Sequence, residues 1–137
     1  MLVSIIEVIM SVINFEQYLM AIKAREEMVQ PLKDYLEKMN EQFYDSLREK
    51  FTKRTAEKHT SNIELFIMYL CDSTNVIKVN DITRGILNSK FSAWCRSKVW
   101  GADSEHDIHI SLRKFLQFAL KQNDENYLEI KRCLSYL

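Results

Sequence analysis

Only two glycines and one proline occur in 137 residues, against roughly 7% and 5% in ordinary proteins. Tight hairpins need residues that tolerate positive φ or pre-set a turn, so a chain this poor in both cannot make the many turns of an all-β fold. The expected fold class is all-α, a compact bundle of five to six helices. An apolar share of 47% with 28% charged residues is the balance of a folded soluble domain, and the length suits one domain. Cys71, Cys95 and Cys133 form no C-x-x-C pair and leave one thiol unmatched in any disulfide scheme. Neither a zinc site nor a secreted disulfide framework is expected, and three reduced core thiols point to a cytoplasmic protein.

The stretch Leu2 to Met20 is apolar enough to raise a signal peptide or a membrane span. No Lys or Arg precedes Lys23, and Glu7, Asn14, Glu16 and Gln17 interrupt the run, so neither is expected and no membrane association is assigned. At helical spacing Leu2, Ile5, Ile6, Ile9, Val12, Ile13 and Met20 share one face while Ser4, Glu7, Ser11 and Asn14 share the other. A core helix, a homodimerisation or partner-docking helix, and membrane contact are the three readings of that face, with the core helix preferred. Glu16 interrupts a seam begun at Leu2, which argues against a long coiled coil.

Pro31 suits the first turn of a new helix and biases Gln30 away from helical geometry. The spacing therefore predicts one helix over 2–29 and a second over 31–49, with Leu32, Leu36, Met39, Phe43 and Leu47 as the core stripe of the second. Thr52 offers an N-cap to a third helix that buries Ala56, His59, Ile63, Phe66, Ile67 and Leu70. Val76 to Val79 reads as a short extended stretch. Asp81 or Thr83 caps a fourth helix with Ile86, Leu87, Phe91 and Trp94 inward, closed by Gly101. Ser104 with Asp107 opens a fifth helix over Ile108, Leu112, Phe115, Leu116 and Ala119. A sixth starts near Glu125 and turns Leu128, Ile130 and Leu134 inward. Residues 1–47 form an N-terminal helical extension, and 48–137 the main domain with its C-terminal helix.

Three segments between Thr52 and Leu120 carry a resemblance. Lys53, Arg54 and Thr55 followed by Ile63, Phe66, Tyr69 and Leu70 form the first, with His59 where an aromatic is usual. Asp81, Ile82 and Thr83 followed by Ile86 form the second, and Ser111, Leu112, Arg113, Lys114, Phe115, Leu116 and Phe118 the third, with Leu116 where an aromatic is usual. In order and spacing these resemble the helical core-binding domain, a SAM-like fold, that precedes the catalytic domain of tyrosine recombinases such as phage integrases. The resemblance covers about half the chain. It implies a non-catalytic duplex-DNA-binding domain in a recombination or integration context, with the helices near 53–71 and 104–121 facing DNA. The alternative is a helical protein-interaction or dimerisation module that keeps the fold without binding DNA.

Charge patterning bears on that expectation. The formal net charge is zero, yet residues 1–47 hold 4 basic and 8 acidic side chains, residues 48–121 hold 13 and 8, and residues 122–137 hold 2 and 3. The positive excess coincides with the region of resemblance, a pattern that marks an interaction surface. Arg48, Lys50, Lys53, Arg54 and Lys58 fall within eleven residues that contain only Glu49 and Glu57 as acids. Cations at a helix start favour phosphate through counterion release and the helix dipole. Arg113 and Lys114 form a second cluster, and His106, His109, Arg113 and Gln117 are read as one stripe able to reach base edges. The candidate DNA-binding residues are therefore Lys50, Lys53, Arg54, Lys58, His106, His109, Arg113, Lys114 and Gln117. Glu105 and Asp107 beside them would repel phosphate, although acids also suit a helix first turn.

Catalytic chemistry is not expected. His109 and Arg113 stand four apart rather than in the recombinase His-x-x-Arg pair, and Tyr136 has no His beside it in sequence. No phosphate-cradling loop is available with two glycines, no metal set can be assigned around His106 and His109, and no cofactor is called for.

Overall fold

The computed structural model describes residues 2–98 and 102–137, with side chains placed over 4–98 and 105–137. It is an all-α bundle: α1 (Leu2–Arg48), α2 (Lys53–Ser73), a single 3₁₀ turn (Val79–Asp81), α3 (Arg84–Leu87), α4 (Ser89–Lys98), α5 (Ala102–Lys121) and α6 (Tyr127–Leu134). Among the described residues there is no strand, and Val76 to Val79 runs as irregular chain into the 3₁₀ turn.

The core is one cluster. It takes the expected stripe of Leu32, Leu36, Met39, Phe43 and Leu47 from α1, Ala56, Ile63, Phe66, Ile67 and Leu70 from α2, and Ile108, Leu112, Phe115, Leu116 and Ala119 from α5. Each stripe recurs at three- and four-residue steps, so each helix lays its apolar face on the same interior. Aromatic rings tie the layers. Phe43 meets Phe115 edge-on at 5.6 Å, and Phe66, Tyr69 and Trp94 gather around Phe91, with Tyr69 at 4.8 Å. All three cysteines are free and buried inside this cluster.

The first departure from expectation is at Pro31. The helix does not stop there: α1 continues through it to Arg48. Proline in a helix interior costs about 3 kcal/mol, by a lost N–H bond and a ring clash. Docking on both sides of it outweighs that cost. Val29 and Leu32 are both buried in the common core. One turn earlier, the Arg25 guanidinium donates to the carbonyls of Thr74, Asn75 and Val76, at 2.9 Å for Val76. The chain before Pro31 is thus held to the same body as the chain after it, and only the helical path connects them.

The second departure concerns the apolar start of α1. The preferred reading made it a core helix, yet every described side chain from Ser4 to Ala24 is exposed, with Val8 at 63% and Phe15 at 59%. The bundle's interior is already filled by Val29 to Leu47 from the same helix, so nothing is left for the earlier turns to cover.

Smaller corrections follow from local chemistry. Thr52 caps α2 as expected, its hydroxyl accepting from the Thr55 N–H, and Thr83 caps α3 by accepting from Ile86. Asp81 instead accepts from the Ile77 N–H, which shapes the 3₁₀ turn. The expected fourth helix is two, because Asn88 leaves helical geometry at φ −107°, ψ −88°, and its side chain donates to the Tyr136 carbonyl at 3.0 Å. Helix α5 begins at Ala102, so Ser104 lies inside it rather than at its cap; Gly101 lies outside the described residues. Leu128, read as inward-facing, is 75% exposed, while Ile130 and Cys133 supply the buried face of α6. Asn123 takes a left-handed φ of 51°, which asparagine tolerates, where the chain leaves α5. Asp124 beyond it accepts from the Tyr35 hydroxyl at 2.7 Å, pinning that turn to α1.

Candidate nucleic-acid interface

The start of α2 projects its cations into solvent. The Thr52 cap fixes the first turn, and the buried face through Ala56 and Ile63 turns Lys53, Arg54 and Lys58 outward, next to exposed Lys50 in the preceding turn. Helix α5 lies alongside α2, and two contacts join their surfaces. The Lys58 ammonium is 3.3 Å from the Asp107 carboxylate. The Lys114 ammonium sits 5.6 Å from the centre of the Phe51 ring, within cation–π range. Lys58 and Lys114 therefore lie along the α2–α5 contact, near the N-terminal end of α2 that carries exposed Lys50, Lys53 and Arg54.

Three of the acids near these cations are paired, while Glu49 beside Lys50 is exposed. Glu57 is 3.9 Å from Lys53 and Asp107 is paired to Lys58. Glu105 pairs with Arg96 of α4 at 3.7 Å. The two carboxylates that the sequence placed as phosphate-repelling are thus each matched by a cation from a neighbouring helix. Among the described residues, Lys50, Arg54 and Lys114 have no carboxylate within 4.0 Å.

Beneath the basic face is a polar seam that the sequence did not reveal. Ser111 is fully buried between α2 and α5. Its hydroxyl lies 2.7 Å from His59 Nδ1 and accepts from the Asn62 amide at 2.9 Å. Burial lowers the His59 pKa below the ordinary 6.5, and the charges of Lys114 and Lys58 lower it further. The neutral ring therefore serves as an inter-helix hydrogen-bonding group and adds no positive charge.

The second expected stripe separates. His106, Arg113 and Gln117 are exposed on the outer surface of α5, but His109 is not in line with them. It turns toward α4, 3.5 Å from the Ser92 hydroxyl and edge-on to Phe91 at 6.0 Å. Three residues on a helix advance about 300°, so His109 falls about 60° round from His106 and onto the flank of the core. Its pKa too is lowered by burial. Arg113 donates to the main-chain oxygen of Leu137 at 3.1 Å, which engages it with the C-terminus. Of the nine sequence-selected residues, Lys58 and Lys114 lie along the α2–α5 contact, Lys50, Lys53 and Arg54 are exposed around the start of α2, Gln117 continues α5's outer side, and His106, His109 and Arg113 belong to the α5–C-terminus side.

Other titratable groups have structural roles. Arg132 pairs with Glu129 at 2.7 Å and donates to the carbonyls of Val79, Asn80 and Ile82, docking α6 on the 3₁₀ turn. The Tyr136 hydroxyl accepts from Arg132 at 3.2 Å, and its ring lies beside the Arg84 guanidinium at 5.4 Å. Among the described residues no three His, Cys, Asp or Glu side chains come together as a metal-binding set.

Fold and surface together define an all-α helical bundle with a basic face between two of its helices. No known protein family, curated protein or solved structure matches the chain.

Proposed function

We propose that the helical body is a non-catalytic DNA-binding domain that contacts the duplex backbone through the α2–α5 face, in the manner of an integrase core-binding domain. The observation that carries this reading is the pairing of Lys58 with Asp107 beside Lys114 over Phe51. It brings Lys114 to the cations around the start of α2, distant in sequence, where Lys50 and Arg54 have no described carboxylate partner within 4.0 Å. Phosphate recognition needs several Lys or Arg side chains on one side and a helix N-terminus among them, and α2 supplies both. His109 takes no part in reading bases, since its ring packs against Phe91.

Fluorescence anisotropy on duplex DNA over a salt series tests it. With about four to six phosphates contacted, log K should fall with log salt at a slope of about −4 to −5. Replacing Lys53, Arg54 and Lys58 together by Gln should flatten the slope by about two to three units. Affinity weaker than about 10⁻⁴ M at low salt, the weak end of non-specific binding, would sink the reading. It would leave the alternative, a protein-interaction module, which the uncovered apolar start of α1 favours.

A further inference from the structure

The first twenty-odd residues of α1 carry an apolar surface that this chain does not cover. Sorted into the seven-residue columns of a helix, that surface has a definite shape. Ile5, Val12 and Leu19 form one column, and Val8, Phe15 and Ile22 form its neighbour. The six alternate at steps of three and four, an unbroken seam of the kind that brings two helices together. All six are exposed, from 38% at Ile22 to 63% at Val8. Glu16 breaks the seam that begins at Leu2, but it lies outside this one.

Where the body begins, the apolar stripe moves by one column. The column of Val8, Phe15 and Ile22 runs on as Val29, Leu36 and Phe43, all buried. The column of Ile5, Val12 and Leu19 runs on as Glu26 and Lys33, both exposed, and reaches the core only further along, at Asn40 and Leu47. The body's other column is Leu32 and Met39, and traced backward it becomes Arg25, Tyr18, Ser11 and Ser4. The free seam is therefore not an overrun of the face that packs on the bundle. Half of it points along the flank of the body, where a second helix can lie.

We propose that this seam is covered by the same seam of a second copy of the chain, as a parallel two-stranded coil with the two bodies at the same end. A bilayer is the poorer occupant, because Glu7, Asn14 and Gln17 lie on one face and Glu16 on the opposite one, so a spanning helix would bury all four and a helix lying on the surface would bury Glu16, whereas pairing along the seam leaves them in water. Symmetry suits a second copy: each seam column meets itself across a two-fold axis. In register, the residues flanking the seam face one another without like charges, Ser11 opposite the partner's Glu16 and Tyr18 opposite the partner's Lys23. Twelve exposed apolar side chains from two copies cover on the order of 1,000 Å², near where specific interfaces begin. The inference stands independently of DNA binding.

Sedimentation velocity on the full chain at micromolar concentration should give twice the chain mass. Placing a carboxylate in the seam, V12D with L19D, should raise the dissociation constant on the order of a hundredfold or more while the body keeps its thermal midpoint. I13D, alone or with M20D to match the two added charges, places carboxylates at exposed apolar residues outside the seam, and should leave the dimer in place. A cysteine at the seam position Val8 (V8C) should form a disulfide-linked dimer under an added oxidant, which only the parallel arrangement brings within reach. A single-chain mass at every concentration would overturn the proposal, as would a dimer indifferent to V12D/L19D, or I13D dissociating it as fully as the seam pair. So would a chain that partitions onto phosphatidylcholine vesicles as a monomer.

Discussion

Arg25 donates to the carbonyl of Val76 at 2.9 Å, joining residues 51 positions apart. With its further bonds to Thr74 and Asn75, this one guanidinium fastens α1 to the segment that leaves α2. Arg25→Ala removes charge-assisted bonds to three carbonyls at a half-exposed site, and should cost about 1–2 kcal/mol. Urea unfolding would read the loss, and hydrogen exchange should show it concentrated in the amides of residues 74–78. Unchanged protection there would mean that the segment is held by the buried Val76 side chain alone.

The His59–Ser111 and His109–Ser92 contacts make stability pH-dependent. Burial lowers both histidine pKa values below 6.5, so below that pH the unfolded chain binds more protons than the folded one. Stability should be level above about pH 7, fall as pH drops through 6.5 and the folded pKa values, and level off below them. Denaturant midpoints across pH 5 to 8 would show this, and His59→Gln should make the decline shallower. A midpoint that rises on acidification would refute the assignment.

Phe115 and Leu128 separate true core from apparent core. Phe115 is buried at the meeting of α1 and α5, edge-on to Phe43 in the common cluster. Phe115→Ala should cost about 3–5 kcal/mol. Leu128→Ala, at a 75% exposed position, should stay within about 0.5 kcal/mol. Parallel chemical denaturation of the two variants checks the pair.

Pro31 is exposed in the interior of α1. Pro31→Ala restores an N–H for the Glu27 carbonyl and removes the ring clash, at the cost of a freer unfolded chain. A net gain of about 1–2 kcal/mol is expected. Thermal melts that show a loss instead would mean that the ring is needed where α1 meets its surroundings.

Much of the fold is legible in the sequence because helical periodicity reports burial directly. The stripes through Phe43, Ile63 and Leu112 all reach the core, and Thr52 and Thr83 cap where their side chains predict. Periodicity defines a face without saying what covers it, which is why the same reasoning misplaces Ile5 to Met20. Proline's local preference for a break at residue 31 is overridden by the burial of Val29 and Leu32 and by Arg25, whose carbonyl partners lie about fifty residues away. At the candidate site, clustering along the chain located Lys50, Lys53, Arg54 and Lys58. The partners that organise them, Asp107 and Lys114 with Phe51, come from segments that meet only when α2 and α5 pack. His109 was misplaced for a geometric reason, since three-residue spacing puts it on the flank of its helix rather than directly below His106.

The continuity of α1 through Pro31 gives the molecule a long lever with its pivot inside the body. From Pro31 to Leu2 the helix extends about 44 Å, so each degree of bend at the proline would swing the tip by roughly 0.8 Å. Arg25 grips that lever a turn and a half beyond the pivot. The aim of the free arm, and hence the angle between whatever the arm holds and whatever the body holds, is therefore set where Arg25 and Val29 fasten it to the body. Loosening that grip would leave each part folded while letting the two lose their bearing on one another.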